Sequence, residues 1–116
     1  MSSLYKEIET KMVQIAATSV KEFIEKNPGV ENSYPCGFAW VIIEPKHKGN
    51  TTLGKLERKE FEVLGFKKDY CGKNYMRWNP SGHPTQNMYV KEAGAKAAAD
   101  FLTNLGYKAY SASRMD

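Results

Sequence analysis

The stretch FAWVIIE, residues 38–44, decides the fold. It begins with six consecutive apolar residues, rich in aromatic and β-branched types, which is typical of a buried strand. Side chains alternate between the two faces of a strand, so the even-numbered members of this run point one way and the odd-numbered members the other. Because both sets are apolar, we expect both faces of the resulting sheet to be covered.

On either side of this strand the chain alternates between helical and extended patterns. Apolar residues recur every three or four positions over residues 3–27, which predicts an amphipathic N-terminal helix. After the strand we predict a helix over 53–64, a hairpin over 66–79, a helix over 90–105 and a last strand before the C-terminus. On the first of these helices, the residues expected to face the core are Leu53, Leu56, Phe61 and Leu64.

This succession predicts a single α+β domain over residues 1–116, the usual size of one domain. Its core, residues 37–114, has the order β-α-β-β-α-β of a ferredoxin-like two-layer sandwich, preceded by the N-terminal amphipathic helix. Right-handed crossovers would put the first and third strands in the middle of the sheet. The two later helices would cover one face, and either the N-terminal helix or a second subunit would cover the other.

The composition narrows the functional class. Hydrophobic residues at 41% and charged residues at 26% exclude a disordered chain. No apolar run approaches the roughly 18 residues that span a bilayer, and the N-terminus has no secretory pattern, so we predict a cytoplasmic protein. Cys36 and Cys71 fit that compartment as reduced thiols, although their spacing leaves a pairing open. No cofactor or metal is predicted, since no close pair of ligands occurs.

The positive charge is concentrated in residues 46–77, which hold nine Lys/Arg against four acids. This basic segment predicts a surface for nucleic acid, with candidate contacts at Lys67, Lys68, Lys73 and Arg77. The sequence favours the other interpretation, a solvated helix and hairpin, because glutamates are interleaved with the bases.

Aromatic residues on the predicted central strands suggest a second route to nucleic acid. RNA-recognition domains stack bases on such aromatics, which here are Phe38, Trp40, Tyr75 and Trp78. However, GKNYMRWN, residues 72–79, departs from the sequence pattern of those domains. We also expect the N-terminal helix to cover that face, so the sequence favours aromatics buried in the core.

The loop RWNPSGHPTQN, residues 77–87, is the most polar and unusual passage. Its Asn-Pro-Ser-Gly is typical of a type I turn, and a cap for the following helix comes at its end. A helix N-terminus also attracts anions, and the candidate ligands for one are Ser81, His83, Thr85 and Gln86. Turn chemistry explains the same residues, and no nucleophile, base and orienting group stand together, so no catalytic residue is predicted.

Four segments carry a resemblance: YPCGFAWV, WNPSGHPTQNM, KEAGAKAAADFL and the closing SRMD. Together they resemble a group of small uncharacterised proteins from bacteriophages and marine metagenomes, over residues 34–116. The resemblance implies a phage or bacterial setting and implies no activity.

The sequence therefore favours a small soluble binding or assembly protein that is non-catalytic and forms a homodimer. One alternative is a nucleic-acid-binding protein that uses the basic segment 46–77. The other is a small enzyme or anion-binding domain with its site in the loop 79–87.

Overall fold

The computed structural model describes residues 2–115, with side chains from residue 4 onward. Within this range the chain forms three α-helices, one 3-10 turn and four strands. In chain order these are α1 (Ser2–Lys26), the turn Val30–Asn32, β1 (Gly37–Glu44), α2 (Thr52–Val63), β2 (Lys67–Lys68), β3 (Tyr75–Trp78), α3 (Met88–Asn104) and β4 (Lys108–Met115). The predicted α+β class is confirmed.

The four strands form one antiparallel sheet in the order β2-β3-β1-β4. The central strand β1 is paired over its full length with β4 on one side, and with β3 on the other. At one edge the hairpin is shorter than predicted, because β2 consists of only two residues. At the other edge β4 has eight residues and runs to Met115, as the last strand that the sequence predicts.

Helix α2 begins and ends as its sequence predicts, but its first turn lies away from the core. The side chain of Thr51 accepts a hydrogen bond from Gly54 N at 3.0 Å, and Gly65 takes the left-handed φ of 86° after the helix. Leu53 and Leu56 are 61% and 52% exposed, so their predicted burial was wrong. The reason is the close approach of Gly54 to the carbonyl of Lys48, which packs this turn against the preceding loop.

The core lies between the sheet and the helices. Odd-numbered residues of β1 are buried there, together with Phe61 and Leu64 of the α2 region and Leu102 of α3. Burying each such large apolar side chain contributes about 1.5–3 kcal/mol. All three helices contribute to this one cluster, so all three lie on the same side of the sheet.

Helix α1 packs on α3 and α2 and does not cover the second face of the sheet. Its Met12 and Ala16 are fully buried in the core cluster, and Tyr5 OH donates to Glu60 of α2. Against α3 the helices are close enough that a methyl group added at Gly94 would stand 3.0 Å from Val20 Cγ2. The expectation that this helix covers the second face was therefore wrong. Cover by a second subunit, the other alternative from the sequence, stays a prediction.

Candidate functional site

No helix or strand within residues 2–115 covers the second face of the sheet, and the strand register shows which side chains lie on it. Residues directly opposite each other on neighbouring strands point to the same side. Trp40 is opposite both Trp78 and Ala112, and Ile42 is opposite both Met76 and Tyr110. We call this surface the open face; its members are Phe38, Trp40, Ile42, Glu44, Lys67, Met76, Trp78, Lys108, Tyr110, Ala112 and Arg114.

Three aromatic rings form a contiguous group on the open face, and a fourth lies on the same face. The rings of Trp40 and Trp78 have centroids 4.7 Å apart, and Phe38 meets Trp78 edge-on at 5.9 Å. Tyr110 lies on β4, opposite Ile42. Phe38, Trp78 and Tyr110 are 37%, 53% and 44% exposed. A group of exposed apolar side chains of this size marks an interaction surface on a folded domain.

Basic side chains surround this aromatic group. Lys67 is opposite Met76 at one edge of the sheet, and Arg114 is opposite Phe38 at the other. Lys108 is also on the open face, opposite Glu44, the one acidic member of the set. The open face therefore joins aromatic rings to a positive rim, with a net charge of two over its three bases and one acid.

Lys91 of α3 supports the open face from its end. The residue is nearly buried, and its Nζ donates to the Gly37 carbonyl at 2.8 Å and lies 5.1 Å from the centroid of the Phe38 ring. A cation at this distance attracts the face of an aromatic ring. This contact therefore fixes Phe38 beside the end of β1.

The four bases chosen from the sequence as nucleic-acid contacts do not lie together. Lys67 is on the open face, whereas Lys68 is opposite the buried Tyr75 and so belongs to the other side of the sheet. Lys73 is in the β2–β3 turn, where its backbone N–H donates to Asp69.

Arg77 lies on the helix side of β3. Its guanidinium donates to Glu9 of α1 at 2.9 Å and to the Leu64 carbonyl at 2.7 Å. Arg58, also in the basic segment, is partly buried like Arg77. Its guanidinium donates to the carbonyls of His47 and Gly54. These two arginines hold the fold together and present little charge to a ligand.

The loop over 79–87 is held by its own hydrogen bonds. Ser81 Oγ donates to Asn79 Oδ1 and accepts from His83 N, each at 3.2 Å. Thr85 Oγ1 donates to the Glu31 carbonyl, also at 3.2 Å. Gln86 is exposed beside them.

Two further contacts bear on an anion in this loop. His83 Nε2 is 3.0 Å from the Glu31 carboxylate, and this negative charge would repel an anion. The buried Asn87 caps α3 by accepting from Val90 N at 3.0 Å, which satisfies one of the free N–H groups at this helix end. The four candidates are thus close together, but three of them are already bonded within the protein.

Groups suited to chemistry are few in the described residues. No cluster of three or more His, Cys, Asp or Glu residues that could hold a metal ion occurs there. Cys36 and Cys71 are both free thiols. The pKa of Tyr5 is raised to about 12, first by its hydrogen bond to the Glu60 carboxylate, and also by burial. A phenol that holds its proton in this way is a structural donor at neutral pH.

Comparisons of this chain with protein-family models, with curated proteins and with solved structures find no match. Separately, none of the helices within residues 2–115 combines the length and the apolar character needed to cross a membrane.

Sequence patterns identified only part of the open face. Phe38, Trp40, Trp78 and Lys67 were named as possible nucleic-acid contacts, although the aromatics were favoured as core residues. Tyr110, Lys108 and Arg114 were not named. The signal that identifies them is the register of β4 against β1, because it assigns every second residue of β4 to the same side as Trp40.

Proposed function

We propose that this protein binds single-stranded nucleic acid on its open face, without catalysis. The observation that carries the proposal is an aromatic group on an uncovered sheet face with bases around it. Aromatic side chains stack on unpaired bases, and each stacked base contributes about 1–3 kcal/mol. Lysine and arginine at the rim attract the phosphates between those bases.

The topology supports this use of the sheet. The order β2-β3-β1-β4, with one helix after β1 and another after β3, supports a ferredoxin-like domain. In RNA-binding domains of this kind, aromatic side chains on the central strands stack on the bases of the RNA. Here the central strands carry Phe38, Trp40 and Trp78 on the side away from the helices.

A second copy of the chain is the competing occupant of the open face, and charge favours nucleic acid. Two open faces packed against each other would bring Lys67, Lys108 and Arg114 of both copies into one dry interface. Glu44 would be the only acid on each side to offset them. Phosphates offset these charges directly, and the bases still bury the rings.

The resemblance to phage and marine proteins and the two free thiols support a place in the cytoplasm of a bacterium or of a phage-infected cell. We propose this setting together with the binding function.

Intrinsic fluorescence tests the proposal directly, because both tryptophans of the chain, Trp40 and Trp78, lie on the open face. Titration with short oligouridine and oligothymidine should quench this fluorescence and give a saturable curve, and comparing the two distinguishes RNA from DNA. The same experiment with duplex DNA should give little quenching, since paired bases cannot stack on the sheet. Absence of quenching by any single strand at low salt would refute the proposal.

A series of protein dilutions shows whether a second copy, rather than nucleic acid, occupies the open face. If a second copy covers the rings, the emission will change with protein concentration in the absence of any oligonucleotide. If no second copy covers the rings, that emission stays constant on dilution.

A further inference from the structure

The outer edge of β4 is a long strand edge without a neighbour among residues 2–115. All eight residues of β4 are in register with β1, and the sheet order ends there. The opposite edge of the sheet is the two-residue β2. A free edge offers a row of backbone donors and acceptors to another strand, and proteins usually blunt it with charge, proline or a bulge. In β4 the middle residues, Tyr110–Ser113, contain none of these.

The helix side next to this edge has room for another strand. A cleft of about 600 Å³ lies between α1, α3 and β4. Its strand wall is lined by Ser111 and Ser113. Its helical wall holds both apolar and charged side chains, among them Phe23, Tyr89, Ala93, Ala97, Glu92, Lys96 and Asp100. The small side chains of β4 on this side leave the cleft open, so the side chains of an added strand could enter it.

The sequence of β4 suits pairing with a second copy of itself. In a two-fold antiparallel pair, opposite residues must lie on the same side of the sheet, so the axis passes through a residue. An axis at Ser111 would put Lys108 opposite Arg114 of the second copy, twice, and like charges directly opposite are destabilising.

An axis at Ala112 removes this conflict. It puts Tyr110 opposite Arg114 of the second copy, an aromatic and a cation, and Ser111 opposite Ser113. The Ser113 hydroxyl already donates to Glu92, so in this pair it would accept from Ser111. At the axis the two small Ala112 side chains meet.

The same register buries an exposed methionine. Met115, which is 63% exposed, would lie opposite Ala109 of the second copy on the helix side. The edge at Ala109 is already engaged, because its carbonyl accepts from Thr103 Oγ1 at 2.9 Å. The backbone pairing with the second copy therefore runs over residues 110–114, and Met115 would contact Ala109 only through its side chain.

We infer that a second copy of this chain pairs antiparallel with β4 about a two-fold axis at Ala112. The two four-stranded sheets become one continuous sheet. Because the axis is perpendicular to the sheet, both open faces lie on the same side of the dimer. The inference goes beyond the proposed binding function and does not depend on it, since the edge pairs whatever the open face holds.

Light scattering of the native protein tests the dimer without any substitution. At micromolar concentration the mass should be twice the 13.1 kDa of the chain. A mass of one chain over the whole micromolar range would overturn the inference. Oligonucleotide quenching can be measured on the same samples, so failure of the dimer and failure of nucleic-acid binding are distinguished.

Disulfide trapping tests the register. In a Cys36→Ser and Cys71→Ser background, Ala112→Cys puts two thiols across the axis, at the Cα separation of an antiparallel pair, about 4.5–5.5 Å. Mild oxidation should link the chains fully. Lys108→Cys, on the same strand and the same face, is the matched control and should stay largely unlinked. Equal linking of both variants, or linking of Lys108→Cys alone, would overturn the register.

Charge reversal gives an independent readout. Tyr110→Lys should weaken the dimer about tenfold or more. It puts the lysine of each copy directly opposite Arg114 of the other copy, so two pairs of positive charges face each other. The double variant Tyr110→Lys, Arg114→Glu should recover the dimer. If both variants dimerise as the native protein does, the pairing of these positions is refuted.

Discussion

Trp40 and Trp78 lie opposite each other on β1 and β3, with ring centroids 4.7 Å apart, on the side of the sheet that carries no helix. A tilted aromatic pair of this kind contributes about 0.5–1.5 kcal/mol beyond the area it buries. The pair therefore both stabilises the sheet and offers a stacking surface to a ligand. Substitutions on the open face should separate these two roles.

Trp78→Ala should affect ligand binding more than folding. We expect the affinity for a single-stranded oligonucleotide to fall by about 1–3 kcal/mol, since one stacking partner is lost. The free energy of unfolding should fall by about 1 kcal/mol, because the contact with Trp40 is lost. Oligonucleotide anisotropy and urea unfolding give the two values. Tyr70→Ala, at a fully exposed tyrosine in the β2–β3 turn, is the matched control and should change neither.

Salt should weaken binding in proportion to the bases that contact phosphate. With Lys67, Lys108 and Arg114 on the open face, we expect a slope of about −2 for log K against log salt on single strands. Arg114→Ala should make the slope less steep by about 0.7. Lys55→Ala, at an exposed position on α2, should leave it unchanged. A slope near zero for the native protein would contradict the role of the rim.

Arg77 should behave differently from Arg114. Arg77 is bonded to Glu9 and to the Leu64 carbonyl on the helix side, so Arg77→Leu should lower the free energy of unfolding by about 1 kcal/mol. Its oligonucleotide affinity should be unchanged. Urea unfolding and oligonucleotide anisotropy on Arg77→Leu and on Arg114→Ala check this contrast. A large loss of oligonucleotide affinity in Arg77→Leu would indicate that nucleic acid contacts the basic segment 46–77 and not the open face.

Stability should fall at high pH because of tyrosines that hold their protons in the folded state. The pKa of Tyr5 is raised from 10.0 to about 12, chiefly by its hydrogen bond to Glu60. The unfolded chain therefore releases this proton first, so the stabilisation is complete below pH 10.0 and is lost as the pH rises through about 12. Urea unfolding between neutral and alkaline pH measures the decline.

Tyr5→Phe is the control for this decline. It should flatten the pH dependence without abolishing it, because burial also raises the pKa of Tyr75 and of Tyr107. An identical alkaline slope in the native protein and in Tyr5→Phe would contradict the role of the Glu60 contact.

Asn87 should be the most important polar residue of the loop. It is buried, caps α3 at Val90 N and donates to the Ser33 carbonyl at 2.8 Å. Asn87→Ala should therefore cost about 2 kcal/mol in the free energy of unfolding. Gln86→Ala, at the exposed neighbour, should change it by less than about 0.5 kcal/mol. Equal effects of the two substitutions would show that the cap is unimportant.

The local structure could be predicted from the sequence because its causes are local. The apolar period of α1, the Thr51 cap and the Gly65 terminus of α2, and the apolar run of β1 each depend on neighbouring residues. The basic segment and the aromatic residues of the predicted central strands also indicated nucleic acid as one possible ligand. It could not say that Leu53 and Leu56 are exposed, because that depends on how Gly54 meets the loop before α2.

Only the tertiary structure decided which face of the sheet is open. The apolar stripe of α1 can be buried equally well against helices or against a sheet, and nothing in its period distinguishes the two. In the folded chain Met12 and Ala16 pack with α2 and α3, which leaves Trp78 exposed on the other side. Register likewise placed Arg77 with the helices and Arg114 with the aromatic rings, because neighbouring residues of a strand point to opposite faces.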